Sequence, residues 1–189
     1  MSQNTKTDGN LKTAFAGESQ AKRRYLLFAE KADKEGYSQI ARLFRAASAA
    51  ENVHARRHFE AMGTAGSTMD SMTAAVTSNT VDEAGSTKDN LTVAVTGEHY
   101  EFTKMYPSFT KEAEKEDNLR AQISFDRAKS VEQIHHKLFE ATIKALEAKQ
   151  PIKSEPYFVC GVCGYTVAGE APEKCPICGA LRVRFTKVD

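Results

Sequence analysis

Cysteine is missing from the first 159 residues of this 189-residue chain, and no run of about 18 apolar residues occurs anywhere in it. The second absence leaves no candidate for a membrane-crossing helix. The N-terminus, MSQNTKTDGN, lacks the apolar core of a secretory signal, so the chain is expected in the cytoplasm. Charge of one sign is also missing: 26 Lys and Arg face 25 Asp and Glu, a net charge of +1. That balance gives no reason to expect nucleic acid or an acidic surface as a partner. The four cysteines all lie between 160 and 178, in two Cys-x-x-Cys pairs. In a reducing compartment such clustering favours a metal over disulfides.

What the chain does have is helical periodicity. Residues about 8–35 and 38–62 repeat apolar side chains every 3.6 positions and break near Gly36, a helix–turn–helix. A second pair is expected over about 89–116 and 118–148, with Pro107 kinking or locally perturbing its first helix because proline removes a backbone donor. Between the pairs, 63–88 is rich in Gly, Ser, Thr and Ala, and Met69–Val76 is a candidate short helix. The organisation expected is a helical bundle over 1–149, a linker over 150–156 and a small module over 157–189. That module is too short for a core of its own and is expected to be stapled by metal.

Carboxylates interrupt the apolar stripes. Glu18 lies on the stripe of Leu11, Phe15, Ala21 and Tyr25. Glu51 and His54 continue Ile40, Phe44 and Ala47; Glu98 and Glu101 continue Leu91 and Val95; Glu132 and His135 interrupt Phe125, Ala128 and Phe139. Inward charges cost several kcal/mol unless paired or bound to metal. The two helical pairs also form a repeat. Gly17-Glu18 matches Gly97-Glu98 at an offset of 80, and Glu51-x-x-His54 matches Glu132-x-x-His135 at 81. Two facing pairs joined by one long crossover make a ferritin-like four-helix bundle, where dinuclear carboxylate centres take Glu from two helices and Glu-x-x-His from the other two. Carboxylates with one imidazole per half suit Fe or Mn. Glu101 is a seventh candidate where six suffice, with a solvated helix edge as its alternative. His58 falls one turn past His54, where it could support a ligand, but a surface or core-edge role is the favoured expectation; His99 and His136 sit beside ligands but about 100° round the helix.

Cys160-Gly-Val-Cys163-Gly164 and Cys175-Pro-Ile-Cys178-Gly179 make two knuckles of a four-thiolate cage that suits zinc or iron. Gly164 and Gly179 permit the tight turns that aim N–H groups at sulfur. Tyr165 and Phe185 are expected in the core of this module.

The stretches AFAGESQAKRRY, AAENVH, NLTVAVTGEHYEFTKMYPSF and FVCGVCGY…CPICGA, in this order, resemble the rubrerythrin family over nearly the whole chain. The resemblance implies a ferritin-like bundle followed by a rubredoxin-like module. It implies two Fe ions bridged by Glu51 and Glu132, with Glu18 terminal on one side and Glu98 and His135 on the other. Glu101 and His54 would exchange on one iron as its oxidation state changes, and Tyr25 would hydrogen-bond a ligand. One further Fe is implied in Cys160, Cys163, Cys175 and Cys178, where purified protein can carry Zn instead. The implied activity is reduction of hydrogen peroxide to water, with electrons from an external donor such as a rubredoxin or an NAD(P)H-linked reductase. A homodimer or higher oligomer is implied, the tail of one subunit serving the bundle of another. The rival readings are a ferroxidase, and a structural bundle carrying a zinc ribbon.

Overall fold

In the computed structural model, residues 5–63 and 85–189 are described. The candidate helix at 69–76 and most of the crossover lie outside them. Helix α1 spans Lys6–Lys34 and α2 Ser38–Met62. The third long helix is composite: α3 (Thr87–Tyr100), a π-helical segment (Glu101–Met105) and α4 (Tyr106–Lys115). Helix α5 covers Leu119–Glu147. Helices α1 and α2 pack along each other, α3 and α4 pack on α5, and α2 meets α5 across the middle.

The sequence repeat is a structural repeat. Thr5 and Asp8 form a capping box at the start of α1, as Ser86 and Asp89 do at the start of α3. Gly36, at φ +84, ends the first pair's leading helix, and Asp117, at φ 51, ends the second's. Each half also caps the other. The Glu35 carboxylate accepts the Thr87 N–H at 2.9 Å, and the Glu116 carboxylate accepts the N–H groups of Lys6 and Thr7 at 3.1 and 3.0 Å. These bonds hold both carboxyls down at about 2. A folded-state value below the ordinary 4.5 stabilises the fold above that pH, and the gain disappears as pH falls from 4.5 towards 2. Glu116→Gln leaves one acceptor for two donors, so its thermal midpoint should be lower than wild type at neutral pH. The gap should narrow as pH falls through that window; a constant gap in a pH series of melts contradicts the capping role.

The offset between halves changes inside the composite helix. Glu18 and Glu98 are 80 residues apart, whereas Tyr25 and Tyr106 are 81 apart. One extra residue has entered between them, and the π segment absorbs it, as such bulges do. The local perturbation expected at Pro107 takes this form: the proline falls in the first turn of α4, where a missing N–H is tolerated.

Two apolar clusters sandwich the carboxylates. One holds Tyr25, Phe28, Phe44, Leu91 and Phe139; the other holds Leu11, Met62, Tyr106 and Phe125. The tail is a three-stranded antiparallel sheet ordered β2 (Thr166–Ala168), β1 (Tyr157–Cys160), β3 (Phe185–Val188). Tyr157 and Val159 of β1 join the first bundle cluster, while Val131 of α5 packs among the cysteines with Tyr165 and Phe185. Arg56 and Arg57 donate to the carbonyls of Gly161 and Val162 at 2.7 and 2.8 Å. The family resemblance implies a tail lent by a second subunit; here the tail of the same chain makes these contacts.

Candidate metal centres

Glu18 projects from α1, Glu51 and His54 from α2, Glu98 from α3, and Glu132 and His135 from α5. All six are at most 2% exposed. Their ligating atoms form two groups: Glu18, Glu51, His54 and Glu132, then Glu51, Glu98, Glu132 and His135. Glu51 and Glu132 belong to both groups. His54 Nδ1 lies 2.8 Å from Glu51 and 2.7 Å from Glu132, and His135 Nδ1 lies 2.8 Å from the other Glu132 oxygen. Glu101, on the π segment, is partly exposed and stands outside both groups.

Charge in this space is unbalanced. Burial, with Glu51 and Glu132 beside it, pushes the Glu18 carboxyl well above its usual range. Burial and the same two neighbours raise Glu98 to about 8. Although the residue as a whole is partly exposed, the Glu101 carboxyl end lies inward, so burial raises it as well and the surrounding carboxylates add to it. Burial opposes ionisation of Glu51 too, but His135 and His54 outweigh it and hold that carboxyl at about 2. Burial alone would lower His54, yet Glu132 and Glu51 keep it up at about 10.

Among the described residues, Glu18 Oε2, Glu51 Oε1, Glu98 Oε2, both Glu132 oxygens and His135 Nδ1 are buried without a hydrogen bond. Atoms this close yet misaligned are lone pairs aimed at shared points rather than at each other. The donor set, carboxylates with one imidazole per group, fits two iron-class cations. Protons and cations compete for these lone pairs, so metal uptake releases protons.

Tyrosines close the cage. Tyr25 donates to Glu98, as the resemblance implied, and Tyr106 donates to Glu18. Tyr106 is the repeat equivalent of Tyr25, and that equivalence was the signal by which it could have been found. His58 corrects the expectation of a surface or core-edge role. It is 0% exposed, with Nε2 3.0 Å from Tyr106 Oη and Nδ1 2.9 Å from Ser124 Oγ. Position 58 lies one turn beyond His54 and so shares its inward face. Burial lowers its basicity to about 3, so the ring is neutral. His99 and His136 turn away: His99 meets Phe102 edge-on, His136 packs on both at a tilt, and His136 Nδ1 lies 3.2 Å from the Val95 carbonyl.

The cysteines converge as well. Cys160 and Cys178 sulfurs are 3.7 Å apart, and Cys163 and Cys175 sulfurs 3.5 Å. Both distances are too long for a disulfide. They match the ~3.8 Å edge of a tetrahedron with metal–sulfur bonds of about 2.3 Å. The Cys163 thiol, with backbone N–H groups of Val162 and Cys163 behind it, lowers Cys160 to about 5. Gly164 and Gly179 adopt φ +83 and +75.

Gly164 also lets the two centres touch. A Cβ there would stand 2.5 Å from His54 Nε2. In its absence, His54 Nε2 reaches the Cys163 carbonyl at 3.1 Å. Thr166 donates to the Gly164 carbonyl at 2.9 Å and so accepts from His135 Nε2 at 3.0 Å. Each tail contact keeps a proton on Nε2, so Nδ1, which faces the cage, is the nitrogen that would give up its proton to a metal, the outer support that orients metal-binding histidines.

Comparison with known proteins agrees with this arrangement. The rubrerythrin family model matches residues 9–143, and the model of the rubrerythrin rubredoxin-like domain matches residues 158–186. Rubrerythrin-2 of Clostridium acetobutylicum is 33% identical over 182 residues, covering 96% of this chain and 96% of that protein. Nigerythrin of Nitratidesulfovibrio vulgaris is 38% identical over 177 residues, covering 94% of this chain and 84% of that protein. The solved structure of nigerythrin in its fully reduced, all-ferrous state superposes with a TM-score of 0.84 at 35% identity, covering 99% of this chain and 88% of the other. With both parts of the sequence matched and similarity running along nearly its whole length, the chain belongs to the rubrerythrin family.

Proposed function

We propose that this chain is an oxidoreductase that reduces hydrogen peroxide to water at a pair of irons in the bundle, re-reduced through an iron in the four-cysteine site. The observation that carries this reading is the hydrogen bond from His54 to the Cys163 carbonyl. It joins a residue of the carboxylate cage directly to a residue of the thiolate cage. A store for iron needs no such link. When bound, the iron pair supplies two electrons and Lewis acidity to both peroxide oxygens.

The chain's own residues do the rest. Glu51 and Glu132 hold the two sites at a fixed spacing, and Glu18 and Glu98, fixed by Tyr106 and Tyr25, close the ends. The apolar clusters above and below exclude bulk water. The tail contacts keep both histidines in the tautomer that ligates. The partners proposed are hydrogen peroxide and an electron-donor protein, a rubredoxin or an NAD(P)H-linked reductase, with a homodimer or higher oligomer as the working assembly.

Glu101 belongs to the same reading. It stands one turn from Glu98 on the inserted π segment, while His54 occupies the cage. Exchange of Glu101 for His54 as the oxidation state changes gives this seventh carboxylate a task. Glu101→Gln should still bind two irons in the bundle, because the six caged ligands remain. Its pre-reduced form should react with peroxide at least about tenfold more slowly, within the range for lost support at metal sites. A ferroxidase would be indifferent to the change. Unchanged peroxide kinetics at full iron occupancy contradict the exchange and leave Glu101 an edge residue.

A further inference from the structure

His58 is a buried imidazole with two polar partners and no part in either ligand group. With a cation in the cage the Glu18 carboxylate carries no proton, so Tyr106, which has a single proton, donates it to Glu18. Tyr106 then accepts from His58, which places the His58 proton on Nε2. The neutral ring then has a bare Nδ1, which accepts from the Ser124 hydroxyl. Every donor in the row Ser124, His58, Tyr106 points towards Glu18. Its outer end reaches a cleft of about 220 Å³, where Ser124 shares the wall with Arg57, Arg120 and Arg127.

The other half of the repeat supplies an internal control. At an offset of 81, Tyr106 matches Tyr25, His58 matches Phe139 and Ser124 matches Leu43. Tyr25 donates to Glu98 just as Tyr106 donates to Glu18, but its ring packs on Phe139 at 5.5 Å and on Phe44 at 6.0 Å. Among the described residues its hydroxyl bonds only to Glu98. The fold thus holds a tyrosine against a cage carboxylate with apolar neighbours alone. Burying an imidazole and a hydroxyl costs more than burying phenylalanine and leucine, so the polar pair is retained for something other than packing.

We propose that Ser124, His58 and Tyr106 form a proton-conducting row that carries protons from the arginine-walled cleft to Glu18, for delivery to the peroxide oxygens. The inference rests on the peroxidase reading. Reduction of one peroxide consumes two protons and two electrons, breaks the O–O bond and forms two waters. The electrons come from the reduced iron pair; the row supplies protons. In one passage, a hydronium ion in the cleft protonates Ser124 Oγ and is left as water, while the serine's own proton moves to His58 Nδ1. The Nε2 proton moves to Tyr106, and the tyrosine's proton moves to Glu18. Rotation of the two hydroxyls and reorientation of the ring restore the starting polarity. The three residues act through Glu18 and are positioning residues rather than catalytic ones.

The test has two arms. Nitrogen-15 spectra of histidine-labelled full-length protein, zinc-loaded so that the cage carboxylates are ionised, read the His58 tautomer without reference to activity. Protonation on Nε2 is expected; protonation on Nδ1 reverses the row and overturns the proposal. In the second arm, His58→Phe copies the residue of the other half, and Ser124→Ala removes only the outer hydroxyl. Both variants should fold and bind iron as wild type does. Both should consume peroxide at least about tenfold more slowly, at the low side of what positioned proton transfer contributes. Proton delivery is then the slowed step, so the solvent deuterium isotope effect on peroxide consumption should be at least as large in both variants as in wild type. Iron-replete variants that keep wild-type rates overturn the row while leaving the peroxidase reading intact. Wild-type protein that consumes no peroxide overturns that reading and the row's role in it.

Discussion

Glu132→Ala is expected to reduce the bundle from two bound irons to at most one and to abolish peroxide consumption. Glu132 belongs to both ligand groups and is fully buried, and its two oxygens lie 2.7 and 2.8 Å from the ligating nitrogens of His54 and His135. No neighbouring carboxylate replaces it, because Glu51 already serves both groups and Glu101 stands outside them. Loss of an outer supporting group typically costs 10–100-fold in affinity or activity, so loss of a shared ligand should exceed about 100-fold. Metal analysis of the purified variant reads the stoichiometry directly. Two retained irons in the bundle, with the four-cysteine site counted separately, contradict the bridging role.

Cys163→Ser should separate the two halves of the reaction. Serine keeps the backbone carbonyl that accepts from His54, while the four-thiolate set loses a member. Turnover driven by an electron-donor protein should cease. A pre-reduced bundle should still consume one charge of peroxide at close to the wild-type rate. Disappearance of that single turnover in a folded, iron-loaded variant would mean that the thiolate site is part of the reaction centre, not a relay to it.

The candidate ligands were legible because each one breaks an apolar stripe. A buried charge at helical spacing is costly without a partner, and its repetition in two halves leaves a metal as the economical explanation. The four thiolates were legible from spacing alone. Tyr106 was not picked out, because an aromatic at a core position reads as packing. Only its match to Tyr25 distinguishes it, and the one-residue change of offset blurs that match. The same change, from 80 to 81, held the π segment in plain view, since a helix can take an extra residue only by local widening. His58 needed the partners on α4 and α5, which no pattern within α2 reveals. Docking of the tail was least legible: its contacts with the histidines run through the Cys163 carbonyl and through a threonine hydroxyl turned by another carbonyl. Main-chain acceptors leave no mark in sequence beyond the glycine that makes room for them.

The most direct measurement of the central claim is a rapid-mixing comparison on anaerobic, iron-loaded, fully reduced wild-type protein. One portion meets a single equivalent of hydrogen peroxide per chain and the other meets an equal amount of dioxygen, with visible absorbance followed in both. Ferric iron in four thiolates and ferric iron in the carboxylate cage absorb differently, so each centre is read separately. The account predicts that peroxide reacts much faster than dioxygen. The carboxylate site should oxidise first, and the four-cysteine site should follow as its electron passes inward. Faster reaction with dioxygen, or a carboxylate site that stays reduced while peroxide persists, would contradict it.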